Sequence, residues 1–447
     1  MAKKVALISL GCAKNLINSE QMLRLIADAG FETVTKPEKA DAIILNTCGF
    51  IESAKMEAID NIIALGRLKT EEEPKKLIVT GCLPERYKDK LFEEMPEIDA
   101  LVGTGSFGEI VEVLGKILSG DEKVSTYGDI NAPVEETGRV ISTGDGFAYI
   151  KIAEGCDNRC GYCVIPSLRG RFRSRPMENI IEEAKSLADM GIQEIIVVAQ
   201  DITRYGIDNY GKRMLSELLK ELCRIDGIEW IRLHYLYPDE IDDELIKTIA
   251  GNDKILKYLD IPIQHINDGI LRLMNRRGTD AEIRELFKKL RREIPGVVLR
   301  TSLITGLPGE GEAEFEELCD FLREARIERA GVFPLSPEEG TLAAKLEHPD
   351  EETATKRAEL IMQLQDEVLN EFNKSRVGTK EVVMCDGFDT DMQCWYGRSY
   401  AESPDVDGYI WLLGEGFEAG NMYEVEITRE IDGELVAEPA ELPFQGK

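Results

Sequence analysis

Short apolar runs that are rich in β-branched residues alternate with helical patterns along most of this sequence. Three such runs open the chain, KVALISLGC (residues 4–12), DAIILNTCG (41–49) and KKLIVTGC (75–82), and a helical pattern follows each of them. Strands that alternate with helices are connected by crossovers and pair in parallel. Residues 1–120 are therefore predicted to form a small α/β domain around a parallel sheet.

A second series of strands and helices begins at residue 147, after a polar segment at 121–146 that is predicted to be a linker with one hairpin. Six strand candidates are separated by helical stretches: FAYIKIAEG, EIIVVAQD, WIRLHYLYP, YLDIPIQH, VVLRTSLITG and RAGVFPLS. A closed barrel of this type needs eight strand–helix repeats. Residues 147–376, which end in a long helix from about 350 to 374, are therefore predicted to form an open, partial (βα)6 barrel.

From about residue 377 the pattern changes to short strands separated by turns, as in KEVVMCDG and NMYEVEITRE. This pattern is typical of a small all-β module of the size of an OB fold, and it predicts a further domain at 377–447. Residues 378–447 contain four Lys and Arg against sixteen Asp and Glu, a net charge of −12. The predicted fold class is therefore α/β, with an acidic all-β module after the partial barrel.

The amino-acid composition limits the classes of function that this chain can have. The 447 residues carry a net charge of −30, which repels phosphate backbones and attracts basic partners. No apolar run reaches the roughly eighteen residues of a membrane span, so no membrane contact is expected. Ten scattered cysteines favour metal binding or catalysis over disulfides. The start of the chain does not match a signal peptide, and a cytoplasmic protein is predicted.

Cys156, Cys160 and Cys163 lie in the loop EGCDNRCGYC, directly after the first strand of the second series. Structural zinc sites use four protein ligands, usually in two pairs, and the sequence offers no second pair for this loop. Three thiolates suit a [4Fe–4S] cluster that leaves one iron without a protein ligand, where substrate or cofactor can bind. An incomplete zinc site and three unrelated thiols are the alternatives.

Three further cysteines, Cys12, Cys48 and Cys82, share one position in the predicted fold. Each ends one of the three opening strands and lies beside a glycine. The carboxyl ends of parallel strands line one crevice, so these thiols are expected to converge, and the glycines permit close backbone approach. We infer a second [4Fe–4S] cluster with one open iron. The alternative is three independently buried cysteines.

The loop CDNRCGYC resembles the cysteine loop of the radical S-adenosylmethionine superfamily. The resemblance implies that S-adenosylmethionine binds the open iron and is cleaved to a 5′-deoxyadenosyl radical, which abstracts hydrogen from carbon. Tyr162 resembles the aromatic residue that lies by the adenine, with plain core packing as the alternative. Gly306, in TSLITGLPGE, resembles the glycine of a strand end near the adenine.

With Cys12, Cys48 and Cys82 added, the whole chain resembles the methylthiotransferases within that superfamily. The resemblance implies an N-terminal domain with an auxiliary cluster at Cys12, Cys48 and Cys82, a radical core, and a C-terminal module of the TRAM kind. It also implies that the auxiliary cluster holds or supplies sulfur and that a second S-adenosylmethionine donates the methyl group. The remaining cysteines are assigned to packing: Cys223, Cys319, Cys385 and Cys394.

Two branches of this family compete. One modifies adenosine in transfer RNA (the MiaB type), and the other modifies the β-carbon of an aspartate in a small-subunit ribosomal protein of the S12 type. The stretches SLGCAKNLINSE, HYLYP, YLDIPIQHI and GRSYAESPDVDG resemble the second branch. The C-terminal charge agrees, because a module that grips transfer RNA should be basic. A further branch that acts on transfer RNA in archaea and eukaryotes fails the same charge test.

The expected partners are therefore the ribosomal protein or the assembled small subunit, and an electron donor such as flavodoxin or ferredoxin; no direct transfer RNA substrate is expected. A non-catalytic iron–sulfur protein that binds the ribosome is the rival class.

Three other features leave their roles open. The basic run RGRFRSRP (169–176) is either a clamp over the active site or a solvated loop. His234 and His265 lie at predicted strand ends and are either hydrogen-bond partners in the site or structural residues. No acid–base residue is assigned.

Overall fold

The computed structural model describes residues 2–70 and 74–440. The chain divides into two compact units that are each assembled from separate stretches. The first unit comprises Met1–Ser142, Lys151–Arg175 and Ser336–Lys345. The second comprises Thr143–Ile150, Pro176–Leu335 and Leu346–Lys447. The division proposed from the sequence at residues 120, 146 and 376 stays a prediction.

The first unit is built on a six-stranded parallel sheet with the order β2-β1-β3-β4-β5-β6. Its strands are β1 Lys4–Ser9, β2 Glu32–Thr33, β3 Ala42–Thr47, β4 Lys76–Gly81, β5 Ala100–Val102 and β6 Val124–Thr126. The three opening runs of the sequence form β1, β3 and β4, and they are adjacent and parallel as predicted.

Helices cover both faces of this sheet. They are α1 Ala13–Asp28, α2 Glu52–Gly66, α3 Cys82–Tyr87, α4 Lys90–Glu94 and α5 Ile110–Leu118. Alternate residues of β3 enter two different cores, with Ile43 and Leu45 in one and Ile44 in the other. A parallel sheet that is buried on both faces is expected to be almost entirely apolar, and every residue of β3 is buried.

A short segment completes the first unit. After strand β7, Phe147–Lys151, the chain forms an antiparallel pair of two-residue strands, β8 Ala153–Glu154 and β9 Arg173–Ser174. Helix α6, Ile165–Arg169, lies between them. The loop with Cys156, Cys160 and Cys163 connects β8 to α6.

The second unit contains a six-stranded sheet with the order β14-β13-β12-β11-β10-β7, and the pairs from β10 to β14 are parallel. The added strands are β10 Glu194–Val198, β11 Trp230–Leu233, β12 Ile255–Asp260, β13 Val298–Thr305 and β14 Arg329–Pro334. Each of the six strand candidates of the second series corresponds to one of these strands. The sheet is open, so the expectation of a partial barrel is confirmed.

Helices alternate with these strands. They are α7 Met177–Asp189, α8 Ile207–Tyr210, α9 Leu215–Leu222, α10 Asp243–Ala250, α11 Asp268–Leu273, α12 Asp280–Glu293, α13 Glu312–Ala325 and α14 Glu351–Arg376. The long helix predicted from residue 350 is α14, and Asp350 caps its first turn by accepting a hydrogen bond from the Thr353 amide at 2.8 Å. No helix of the described residues is long and apolar enough to cross a bilayer.

The C-terminal module is a closed five-stranded barrel with the order β15-β16-β17-β19-β18. Its strands are β15 Lys380–Asp389, β16 Cys394–Arg398, β17 Ile410–Leu412, β18 Met422–Ile431 and β19 Glu434–Pro439. Val383, Ile410, Val425 and Leu435 are among its core residues. The small size and the antiparallel majority of the strand pairs agree with the OB-like module that the sequence predicts.

Buried ion pairs join this barrel to the parallel sheet. Arg398 at the end of β16 donates to Glu194 of β10 at 2.8 Å and to both oxygens of Asp386, at 2.7 and 2.8 Å. Arg232 of β11 donates to the second oxygen of Glu194 at 2.7 Å. The side chains of Glu194, Arg232 and Arg398 are fully buried. A buried charge is costly without its partner, so each member of this group depends on the others.

We expect Arg398→Met to destabilise the second unit strongly, because it leaves Asp386 buried without a cation. The loss should be about 3–5 kcal/mol of unfolding free energy. Urea unfolding followed by tryptophan fluorescence measures it, since Trp230, Trp395 and Trp411 all belong to this unit. Arg429→Met, at an exposed position of β18, is the control, and equal urea midpoints for the two variants would contradict the prediction.

Candidate functional site

Cys12, Cys48 and Cys82 lie at the carboxyl edge of the first sheet. Cys12 is the N-cap of α1, Cys48 directly follows β3, and Cys82 is the first residue of α3 directly after β4. Parallel register aligns these ends, since Thr47 of β3 is opposite Gly81 of β4 and Ser9 of β1 is opposite Asn46. The three cysteines therefore converge, as the sequence predicts.

Two glycines allow the approach of the three loops. A Cβ atom at Gly11, whose φ is +85°, would lie 2.8 Å from the Cβ atom of Cys48. A Cβ atom at Gly49 would lie 3.0 Å from the carbonyl group of Cys82. Glycine at these positions removes the clash between neighbouring cysteine loops.

Asn15 fixes the geometry of the same loops, and sequence reasoning did not find it. Its side-chain amide donates to the carbonyl of Leu10 at 3.2 Å and to that of Thr47 at 2.9 Å, so it joins the chain just before Cys12 to the chain just before Cys48. Its Oδ1 lies 4.0 Å from the sulfur of Cys82. One amide thus contacts all three loops. No periodic pattern marks such a residue, because its partners are remote in sequence.

The thiols influence one another electrostatically. Burial, together with the neighbouring Cys82 and Cys12, raises the pKa of Cys48 to about 12. Burial also raises the pKa of Cys82. Desolvation opposes the ionisation of Cys12, but the charges of Lys14 and Arg169, together with hydrogen bonds from the backbone amides of Asn15 and Lys14, lower the pKa of that thiol. Three thiolates that repel one another are stabilised by cations, so this donor set fits an iron–sulfur cluster.

The second trio lies in the loop between β8 and α6, and all three of its cysteines are half-buried. The amide of Cys156 donates to the carbonyl of Gly170 at 3.1 Å, and the amide of Cys163 donates to that of Cys160 at 3.0 Å. The first bond joins the start of the loop to Gly170, the residue after α6, and the second bond forms a turn within the loop. All six cysteines are free thiols that belong to the first unit.

No three His, Cys, Asp or Glu side chains of the described residues are grouped closely enough to hold one metal ion. Ligands of a single zinc ion must meet at one centre. The thiolates of a four-iron cluster bind separate iron atoms, so they need a wider arrangement. The described residues therefore contain no preformed site for a single zinc ion.

Two connections link the trios. Segment 336–345 forms the first: Glu338 accepts hydrogen bonds from Arg86 at 2.6 Å and Lys55 at 3.0 Å, and Arg86 also donates to the carbonyl of Gly49 at 2.9 Å. The amide of Ala343, in the same segment, donates to Gly161 in the second cysteine loop at 2.8 Å. This segment therefore contacts residues next to Cys48 and next to Cys160.

The second connection is Arg169, the first residue of the basic run. Its side chain is almost fully buried and donates to Asn18 at 3.0 Å, to Glu154 at 3.2 Å and to Asn15. Arg175 is also buried and binds both oxygens of Glu136. These two arginines do not lie in a solvated loop, whereas Arg171 is exposed.

The predicted cofactor contacts Tyr162 and Gly306 belong to different units. Tyr162 is buried. Gly306 has a φ of +78°, and its amide donates to Glu310 Oε1 at 2.9 Å. Their contacts with adenine stay predictions, as does core packing for Tyr162.

The two histidines are buried. The Nε2 atom of His234 lies 2.7 Å from the hydroxyl of Ser403, so this ring has a structural partner. His265 Nδ1 accepts from the amide of Asn267 at 3.0 Å, and its Nε2 lies 3.4 Å from Glu310.

Among the other cysteines, Cys319 and Cys385 are buried, while Cys223 and Cys394 are half-buried.

Three family models match successive parts of the chain. Residues 4–103 match the uncharacterized protein family UPF0004, residues 150–322 the radical SAM superfamily, and residues 377–439 the TRAM domain. A protein of Acetivibrio thermocellus named ribosomal protein uS12 methylthiotransferase RimO is 47% identical over 98% of both chains. Proteins of the same name from Clostridium perfringens and a Thermoanaerobacter species are 46% identical over 98% of this chain and 98% and 100% of theirs.

This chain belongs to the RimO family. It is thus a radical SAM methylthiotransferase, and the predicted family, cofactors and fold class are confirmed. The fold of this chain also resembles that of a solved radical S-adenosylmethionine methyltransferase, TsrM from Kitasatospora setae, with a TM-score of 0.59 at 15% identity over 77% of each chain. The radical enzyme OxsB gives a TM-score of 0.52 at 13% identity over 81% of this chain and 56% of its own.

Gly11→Ala tests the convergence of the first trio in this RimO-family chain. The added methyl group would meet Cys48, so we expect the loss of up to about four irons per chain after anaerobic reconstitution. Gly30→Ala is a matched control, because Gly30 has a φ of +84° but nothing within 4 Å of the new atom. Iron and sulfide assays on both variants measure the effect. Full iron loading of Gly11→Ala would show that the close approach is dispensable.

Proposed function

We propose that this chain transfers a methylthio group to an aspartate of ribosomal protein uS12. Membership of the RimO family supports the reaction class. The observation that carries the proposal is the presence of two cysteine trios in one structural unit, one of which converges at a sheet edge while the other lies in a loop that matches the radical SAM pattern.

Each trio has a proposed task. Cys156, Cys160 and Cys163 bind the cluster that takes up S-adenosylmethionine, with Tyr162 and Gly306 beside its adenine. Cys12, Cys48 and Cys82 bind the auxiliary cluster. When bound, the two clusters and S-adenosylmethionine supply the carbon radical, the sulfur and the methyl group. The chain holds the thiols: Asn15 orders the loops of the first trio, and the bonds of Cys156 and Cys163 order the second loop.

The C-terminal barrel is the proposed docking surface for the basic substrate protein. Its exposed acidic residues are Asp391, Asp405, Glu415, Glu418, Glu424, Glu426, Asp432, Glu434 and Glu438. Within 378–440 the exposed basic residues are Lys380 and Arg429 alone, because Arg398 is buried in its ion pairs. Such a surface steers a basic protein and repels transfer RNA. This balance favours uS12, free or in the assembled small subunit, over the transfer RNA alternative.

The proposal also includes the cellular compartment of the reaction and the source of its electrons. The reaction runs in the cytoplasm, and an electron donor such as flavodoxin or ferredoxin reduces the clusters. A non-catalytic iron–sulfur protein would bind the ribosome without forming 5′-deoxyadenosine, so chromatography of a reduced mixture with S-adenosylmethionine separates it from an enzyme.

Replacing each trio by alanine should separate the two tasks. Without Cys156, Cys160 and Cys163, 5′-deoxyadenosine should no longer form. Without Cys12, Cys48 and Cys82, cleavage of S-adenosylmethionine should continue but the methylthio product should be absent. Chromatography of the nucleoside and mass spectrometry of a uS12 peptide measure the two outcomes.

The double replacement of Cys223 and Cys394, which lie outside both trios, is the control and should leave both products unchanged. Cleavage of S-adenosylmethionine by the variant without Cys156, Cys160 and Cys163 would refute the radical assignment.

Charge reversal tests the docking surface. Glu424→Lys with Glu426→Lys should lower kcat/KM for uS12 by about tenfold at low salt, and less at high salt, because screening weakens electrostatic steering. Glu57→Lys with Asp60→Lys on α2 is the matched control, since it adds the same charge at exposed positions of the first unit. A methylthio adduct found only in a parallel digest of transfer RNA would favour the other branch.

A further inference from the structure

Arg169 is placed unusually for a charged residue. It ends α6, the helix that follows Cys163, yet its guanidinium reaches helix α1, where Asn15 and Asn18 accept its hydrogen bonds. Only 3% of its side-chain surface is exposed. An arginine cannot lose its proton in a protein, so this position carries a permanent buried positive charge.

The guanidinium lies beside the first trio. The Oδ1 atom of Asn15 accepts its hydrogen bond and is also 4.0 Å from the sulfur of Cys82. Leu168, the residue before Arg169, packs with Cys82, Val164 and Phe50 in one apolar cluster. The positive charge of Arg169 also favours the thiolate form of Cys12, Cys48 and Cys82.

Buried cations are concentrated around Arg169. Glu154 accepts from Arg169 at 3.2 Å and from Lys151 at 2.8 Å, so one buried carboxylate serves two buried cations. Lys14, also buried, adds positive charge near Cys12. Buried cations are stable only near compensating negative charge. Cluster-bound thiolates at Cys12, Cys48 and Cys82 would place negative charge beside these cations.

We propose that Arg169 is a positioning residue that holds a fixed positive charge against the auxiliary cluster and raises its reduction potential. The inference rests on the proposed function, in which Cys12, Cys48 and Cys82 hold a four-iron cluster. Reduction adds one electron, and hence one negative charge, to the cluster without breaking a bond or moving a proton. A fixed cation stabilises the reduced form more than the oxidised form, so it makes the electron easier to accept.

The test uses the chain in which Cys156, Cys160 and Cys163 are alanine, so that a single cluster remains. A redox titration with dithionite as the electron source, followed by electron paramagnetic resonance, gives its midpoint potential. Arg169→Met should lower the equilibrium constant for reduction by about tenfold, which is 59 mV for one electron. Arg169→Lys keeps the charge without the planar fork, so its shift should be smaller.

Glu154→Gln provides a test of opposite sign. Removing the carboxylate leaves the charges of Arg169 and Lys151 uncompensated, so the midpoint potential should rise. Arg175→Met is the matched control: Arg175 is buried in the same basic run, but it binds Glu136 and the carbonyl of Lys151, and its loss should leave the potential unchanged. In the chain without Cys12, Cys48 and Cys82, Arg169→Met should not shift the potential of the other cluster.

The outcomes separate this inference from the proposed function. If the parent chain without the second trio binds no cluster, the assignment of Cys12, Cys48 and Cys82 is wrong. If it binds one and neither Arg169→Met nor Glu154→Gln shifts its potential, the role of Arg169 is wrong. Should Arg169→Met fail to take up iron, the shifts of Arg169→Lys and Glu154→Gln decide the question.

Discussion

The register of three parallel strands is the constraint on which the candidate site depends. Strands β1, β3 and β4 pair residue against residue, so the loops that carry Cys12, Cys48 and Cys82 leave the sheet at one edge. Because the carboxyl ends of neighbouring parallel strands line one crevice, the cysteines that follow these strands occupy the same crevice. Glycine at positions 11 and 49 makes that space large enough, and Asn15 holds the loops in place. The cost is electrostatic, because each thiolate destabilises its neighbours until a cation compensates them.

Buried arginines serve both units of this acidic chain. In the first unit Arg169 brings positive charge to the cysteines, and in the second Arg232 and Arg398 neutralise Glu194 between the sheet and the barrel. The burial of arginines also changes the charge of the protein surface. Because Arg398 is buried, the C-terminal barrel presents an outer face that is more strongly acidic than a uniform distribution of its charges would make it. The burial of Arg398 therefore forms the interior ion pairs and also leaves the acidic surface that is proposed to recognise a basic protein.

Local sequence patterns predicted most of the secondary structure. The six strands of the second sheet each contain a run of apolar residues that is long enough to be recognised, and the helices between them have a clear apolar face. Strands β2, β5 and β6 were not predicted, because two or three residues are too few to establish an alternating pattern. Strand β6 also falls within 121–146, where polar composition predicted a linker with one hairpin, yet it pairs in parallel with β5 at the edge of the first sheet.

By itself, the sequence determined the parallel topology, the two cysteine trios and the acidic C-terminal module, because each depends on composition or on spacing along the chain. Only the tertiary structure decided which residues surround the thiols. Arg169 meets Asn15 across 154 positions, Arg398 meets Glu194 across 204, and Arg86 meets Glu338 across 252. Periodicity reports only neighbours within a few residues, whereas these pairs form because packed elements bring them together and burial makes an unpaired charge too costly.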